Sequence, residues 1–187
     1  MKAKKNCHAV IAGIMLILFI LPVCPFDFFT FLGQTSFIVW MRPAFSLCVL
    51  LAGVFLIVGQ PKRAAVSMTL ACLFLLLSSL FANAASSSLV DEHDTVPKGI
   101  ALATTILLLA PYPLFAAALW LRGRTACTLS LLSALAQAAG LVMTFISMGY
   151  VTGHPSPVNL LPIFWVIGAI AAGRYLSSLQ NPESSAQ

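Results

Sequence analysis

The chain has 187 residues and a formal net charge of +5; hydrophobic residues make up 60% of it and charged residues only 8%. Soluble domains are roughly 45–50% apolar and about 25% charged, so this composition excludes a soluble globular protein. The length leaves no room for a separate soluble domain beside the apolar segments. We therefore predict one all-α integral membrane domain over residues 1–187, a compact bundle of about six transmembrane helices.

Six apolar segments approach or exceed the roughly 20 residues that cross a bilayer as a helix. In chain order, we predict spans over residues 8–23, 43–60, 64–84, 99–121, 125–150 and 158–175. The last two spans come from one stretch, residues 125–173, that contains no Asp, Glu, Lys or Arg. We divide it at residues 152–157, because two prolines and a glycine there interrupt a helix.

The first span also has features of an export signal, with a basic start, an apolar core and a proline at position 22. Residues 21–24 resemble a degenerate lipoprotein cleavage site that ends in Cys24. Val23 is bulkier than the small residue that such cleavage requires. We expect the segment to be retained as a span.

Aromatic residues recur on one helical face of residues 26–40, between the first two spans. Aromatic side chains anchor proteins at the level of the lipid headgroups, so we predict that this segment lies flat at the outer interface. Alternatively, Phe37 to Trp40 enter the membrane as the start of the second span, and Arg42 reaches back to water.

Most basic residues fall at the ends of spans that would share one side of the membrane. They are Lys2, Lys4, Lys5, Lys62, Arg63, Arg122, Arg124 and Arg174. The opposite side carries Asp27, Asp91, Glu92 and Asp94, with Arg42 and Lys98. Because cytoplasmic loops are rich in Lys and Arg, we predict that both termini are cytoplasmic. The compact loops favour a plasma membrane, and specifically a bacterial inner membrane.

The fourth predicted span contains Pro111-Tyr112-Pro113 at its centre. Proline lacks the N–H that continues the hydrogen-bond ladder, so we expect a kink or a break there. Broken helices form substrate sites in some transporters, and Tyr112 would add a hydroxyl group to such a site. The alternative is a purely structural kink, which is common in membrane helices.

Gln137 is the most polar side chain predicted at membrane depth. It shares its helix with Ser130, Ser133, Thr144 and Ser147 at helical spacing. With Pro111, Tyr112 and Pro113, Gln137 would line a path for a neutral solute. The alternative interpretation is hydrogen bonding between helices, which satisfies an amide that hydrocarbon does not.

The predicted outer loops contain a weak candidate for a metal site, formed by His93, Asp94 and His154. A solvated acidic loop explains the same residues, since consecutive side chains do not converge on one ion without a specific turn. The cysteines show no Cys-x-x-Cys pair; small apolar packing explains them better than a disulfide between Cys24 and Cys48. We predict no metal and no cofactor.

Small residues recur four apart, as in the pairs 9/13, 136/140, 168/172 and 169/173, and predict close contact between helices. The sequence leaves open whether the partner helix belongs to the same chain.

The few titratable side chains sit mainly where they set topology, so we predict that the protein is not an enzyme. We expect an accessory or structural membrane component that acts through helix or lipid contacts. Its partners would be the lipid bilayer and either another membrane protein or a second copy of itself, not nucleic acid. The alternative function is a carrier or permease for a neutral or lipid-like small solute.

Overall fold

The structure, a computed structural model, describes residues 6–24, 40–86, 98–150 and 160–179. Within these ranges it contains helices and no strands, as the composition predicts. The helices are α1 (Cys7–Ile20), α2 (Met41–Ile57), α3 (Pro61–Ser86), α4 (Lys98–Leu109), α5 (Pro111–Trp120), α6 (Arg124–Tyr150) and α7 (Pro162–Ser178). Because only Ala110 separates α4 from α5, the described segments form six helical rods.

Three of these rods are long and apolar enough to cross a membrane. They cover Pro61–Leu80 in α3, Leu102–Trp120 in α4 and α5, and Arg124–Ser147 in α6. Two shorter helices, α1 and α2, are also apolar. The described part of the chain therefore has the helices expected of a membrane protein.

Prolines explain where several helices depart from the predicted bounds. α3 begins at Pro61 and α7 at Pro162, rather than at residues 64 and 158, because proline suits the first helical position. α1 ends at Ile20, before Pro22, rather than at residue 23. Its start is capped by the side chain of Asn6, which accepts a hydrogen bond from the backbone N–H of His8.

Two tight turns, at Gly59 and Gly123, join helices at one end of the bundle. Both glycines have positive φ, 78° and 76°, which side chains disfavour. At the first turn the N–H of Gln60 donates to the carbonyl of Phe55, and the N–H of Gly59 donates to that of Leu56. This is a glycine-terminated helix end of the Schellman type, and α3 follows at once.

The same end of the bundle holds the start of α1 and the end of α7. The side-chain amide of Asn6 donates to the hydroxyl of Ser178 at 3.0 Å. The N–H of Gly123 donates to the carbonyl of Leu176 at 3.3 Å. These bonds bring together the helix ends that carry Arg122, Arg124 and Arg174, and Lys62 and Arg63 at the start of α3 line one pocket with Arg122.

The rods form a closed ring in chain order. α1 packs on α2, α2 on α3, α3 on α5, α5 on α6, α6 on α7, and α7 returns to α1. α4 packs mainly on α6. The centre of the ring is filled by large side chains such as Trp165, Phe115 and Leu16, which are fully buried.

Small residues let neighbouring helices approach closely. A Cβ at Gly53 on α2 would lie 2.9 Å from the carbonyl oxygen of Gly13 on α1. A Cβ at Gly13 would lie closer still to the carbonyl oxygen of Gly53. A Cβ at Gly168 on α7 would lie 3.1 Å from the Cβ of Met15 on α1. The partner helix in these contacts belongs to the same chain, so the small-residue pairs are used for internal packing.

Candidate functional site

The helical hydrogen bonding is interrupted at Ala110, where the Pro111-Tyr112-Pro113 sequence predicts a kink or a break, while Ala110 keeps helical backbone angles (φ −58°, ψ −34°); we call this interruption the break. Pro111 and Pro113 have no N–H to offer to the carbonyls one turn earlier, at Leu107 and Leu109. The Leu107 carbonyl instead faces Gly140 on α6, and a Cβ on that glycine would lie only 3.1 Å from the Leu107 oxygen. Close contact with α6 therefore supports the broken segment.

A cavity of about 250 Å³ lies beside this break, between α3 and the α4–α5 rod. It is lined by Cys72, Leu75, Leu76, Ile106, Leu109, Ala110, Tyr112 and Pro113. We call it the lateral groove. The groove arises because α3 packs along α5, whereas α4 packs along α6. The second half of α3 therefore has no described helix packed closely against the side that faces α4.

The lateral groove is apolar and meets the outer surface of the bundle. Its lining is almost entirely hydrocarbon, and Leu76 and Ile106 at its edge are 52% and 56% exposed. Pockets that enclose a complete drug-sized ligand typically measure about 300–1,000 Å³. The groove is smaller and open at the side, so it suits part of a longer apolar molecule.

An aromatic cluster fixes the inner wall of the groove. The ring of Tyr112 packs edge-on against Trp165, with 4.8 Å between centroids, and against Phe45 at 5.3 Å. Trp165 also contacts Phe19 and Phe115 at 5.3 and 5.2 Å. These contacts join four helices, so the break is attached to the rigid centre of the bundle.

Ser133 links the same region through hydrogen bonds. The indole N–H of Trp165 donates to the Ser133 hydroxyl at 3.1 Å, and this hydroxyl donates to the carbonyl of Pro111 at 2.8 Å. One turn earlier, the hydroxyl of Ser130 donates to the carbonyl of Ala169 at 2.6 Å. The buried serines of the predicted polar stripe therefore connect α6 to α5 and α7.

The rest of the stripe is also bonded within the bundle. The hydroxyl of Thr144 donates to the carbonyl of Gly140, and that of Ser147 to the carbonyl of Met143. Ser147 also lies 3.2 Å from the hydroxyl of Thr104 on α4. The first two bonds lie within α6, and only the contact between Ser147 and Thr104 is of the interhelical kind that the sequence offers as the alternative to a solute path.

Gln137 is enclosed in the interior, with 2% of its surface exposed, and it does not line the lateral groove. Its side-chain oxygen is buried without a hydrogen-bond partner. Of the four residues predicted to line a path, the structure thus places Tyr112 and Pro113 at the groove. It places Pro111 and Gln137 in the packed interior.

The sequence gives no distinct signal for the other groove residues. Cys72, Leu75 and Leu76 share one face of α3, and Ile106, Leu109 and Ala110 share one face of α4 and the break. Any lipid-facing helix shows the same spacing. Only the divergence of α3 from α4, which is a tertiary property, makes these two faces a groove.

The predicted metal-site residues His93, Asp94 and His154 lie outside the described residues, as does nearly all of the predicted interfacial segment 26–40. Among the residues that the structure describes, no three His, Cys, Asp or Glu side chains form a group suited to a metal ion. None of the five cysteines, which all lie in the described ranges, forms a disulfide, so Cys24 and Cys48 are not joined by one.

Comparison of the chain with protein-family models, with curated proteins and with solved structures gives no match.

Proposed function

We propose that this protein is a non-enzymatic component of a membrane that acts by holding a lipid acyl chain in the lateral groove. The supporting observation is the groove itself, an apolar cavity of about 250 Å³ that is open at the outer surface of the bundle beside the break at Ala110. Hydrocarbon is the ligand that such a lining favours, because no polar group of the groove needs a partner and an acyl chain packs against the groove walls as it would against other lipid tails.

The proposal includes a topology. Six crossings, formed by α1, α2, α3, the α4–α5 rod, α6 and α7, would place both termini in the cytoplasm of a bacterial cell, in its inner membrane. The close grouping of basic residues at one end of the bundle supports this orientation, since positive residues concentrate in cytoplasmic loops.

Transport of a lipid-like solute is the second candidate, and the apolar lining of the same groove favours it. A path for a hydrophilic neutral solute has less support. Ser130 and Ser133 donate to backbone carbonyls of neighbouring helices, and Gln137 is enclosed. A lipid-like carrier would differ from a structural component only if the bound molecule crosses the bilayer.

Retention of lipid by the purified protein tests the acyl-chain proposal. Wild-type protein is released from nanodiscs of defined phospholipid and weighed by native mass spectrometry. Ala110→Phe fills the groove, and Ala139→Phe places the same side chain on an exposed position of α6 away from it. We expect the wild type and Ala139→Phe to retain a stoichiometric lipid and Ala110→Phe to lose it. Equal retention by all three proteins would contradict the proposal.

The two candidates separate in a liposome assay. The protein is reconstituted into liposomes with a fluorescent phospholipid confined to the inner leaflet, and dithionite then bleaches only the lipid that reaches the outer leaflet. A structural component leaves the bleached fraction of the lipid unchanged, whereas a lipid-like carrier increases it, and Ala110→Phe abolishes that increase.

A further inference from the structure

A second pocket lies at the end of the bundle that carries the basic residues. Its volume is about 320 Å³, and it is lined by Gln60, Pro61, Lys62, Arg63 and Arg122. Two separate turns build it, because Gln60 and Pro61 belong to the α2–α3 connection and Arg122 to the α5–α6 connection. We call it the basic pocket. It shares no residue with the lateral groove.

Three cationic side chains line the basic pocket, and the described part of the chain has no carboxylate side chain to pair with them. Every acidic residue lies outside that part; these are Asp27, Asp91, Glu92, Asp94 and Glu183. Lys62, Arg63 and Arg122 are all exposed, so their charged ends are accessible from water. Like charges held together repel each other, and an anion between them would relieve that repulsion.

The backbone adds to the positive potential. α3 starts at Pro61, and the carbonyl of Gln60 accepts the first helical hydrogen bond, from the N–H of Ala64 at 3.1 Å. The N–H groups of Lys62 and Arg63 belong to the first turn of a helix, whose amino end attracts anions.

The side chain of Gln60 presents a further group to this pocket. Its Oε1 is buried and has no hydrogen-bond partner. Gln60 is also one of the residues that line the pocket, and the NH₂ group of a glutamine side chain donates hydrogen bonds that suit an anion.

We propose that the basic pocket binds a phosphate group, held by Lys62, Arg63 and Arg122 with the amide of Gln60. The guanidinium of Arg122 suits a phosphate because its N–H groups form two parallel hydrogen bonds with phosphate oxygens. The phosphate belongs either to the headgroup of an anionic lipid or to a free anion. The proposal does not rest on the lateral groove, and failure of either site leaves the other unaffected.

Binding is measured with the full chain in two settings. In phosphatidylcholine nanodiscs, phosphatidylglycerol is titrated in and bound lipid is counted by native mass spectrometry. In neutral detergent, inorganic phosphate is titrated in and thermal unfolding is followed. Saturable binding of phosphatidylglycerol alone assigns the site to a lipid headgroup, and stabilisation by inorganic phosphate assigns it to a free anion. Absence of both effects overturns the proposal.

Arg122→Gln is the diagnostic variant and Arg124→Gln its matched control, because Arg124 lies two residues away, is exposed and does not line the pocket. We expect Arg122→Gln to weaken binding about tenfold, which corresponds to the loss of one charge-assisted hydrogen bond. Arg124→Gln should weaken it less than about threefold. Equal losses in the two variants would show diffuse attraction to a charged surface and would overturn a specific site.

Glu183 is the one acidic residue that follows α7 in the sequence, and a carboxylate is an anion that a basic pocket would also attract. Glu183→Gln tests this. Unchanged or tighter phosphate binding in this variant supports the site, whereas loss of binding overturns the assignment to the basic residues alone.

Discussion

Trp165 on α7 and Ser133 on α6 are joined by a buried hydrogen bond of 3.1 Å, and the same serine hydroxyl donates to the carbonyl of Pro111 at 2.8 Å. One hydroxyl group thus connects three helices at the point where the α4–α5 rod is broken. The carbonyl of Pro111 is therefore bonded to a neighbouring helix, and the large indole at the bundle centre is oriented.

Ser133→Ala should destabilise the protein by about 1–3 kcal/mol, because it leaves the Trp165 indole N–H and the Pro111 carbonyl without their partner in a buried site. Thermal unfolding in detergent measures the change, with tryptophan fluorescence as a local reporter. Ser79→Ala is the control, since the Ser79 hydroxyl donates only to Leu75 of its own helix. Equal stability of the two variants would show that the central bonds contribute little.

Gly13→Ala should lower the stability by about 1–3 kcal/mol, because the added Cβ would overlap the backbone carbonyl of Gly53 and force α1 and α2 apart. Gly99→Ala is the matched control. A Cβ there meets nothing within 4 Å, and alanine favours a helix over glycine by about 1 kcal/mol. The expected order of unfolding temperatures is Gly99→Ala at or above wild type, and Gly13→Ala below it.

Gln137→Met should leave the stability unchanged or raise it, since it removes a buried oxygen that has no partner and keeps a similar volume. Gln137→Ala should instead cost about 2 kcal/mol or more, because it opens a cavity in the interior. Unfolding of both variants is compared with wild type. A large loss of stability in Gln137→Met would mean that the amide makes contacts essential to the bundle.

The proposed topology predicts opposite accessibility for two native cysteines. Cys7 begins α1 beside the end of α7, and Cys24 follows α1 at the other end of the bundle. In single-cysteine variants expressed in a bacterial host, a membrane-impermeant maleimide should label Cys24 in intact cells and Cys7 only after permeabilisation. The reverse pattern would invert the proposed orientation.

Apolar segments and prolines allow much of this fold to be predicted from sequence. The break at Ala110 follows from Pro111 and Pro113, and the tight turn before α3 follows from Gly59 and Pro61. These are local effects of backbone chemistry, which a sequence specifies directly. α7 begins at Pro162, four residues after the start of the predicted span at residue 158; both Pro157 and Pro162 suit a first helical position, and the sequence does not rank them.

The candidate site was predictable only in part. Tyr112 and Pro113 were identified through the break, but Cys72 and Ile106 were not, because their place in the groove depends on how far α3 lies from α4. Gln137 illustrates the opposite case. Its polarity at membrane depth predicts a solute path or a packing contact, and only the arrangement of the helices shows that it is enclosed away from the groove.

The most direct test of the account is photo-crosslinking with a phospholipid that carries a diazirine in its acyl chain. Adducts on the reconstituted protein are mapped by peptide mass spectrometry. We expect saturable adducts at Leu75, Leu76, Ile106 or Leu109 that disappear in Ala110→Phe. Adducts spread evenly over exposed residues such as Leu102 and Leu135, and unchanged in Ala110→Phe, would contradict acyl-chain binding in the lateral groove.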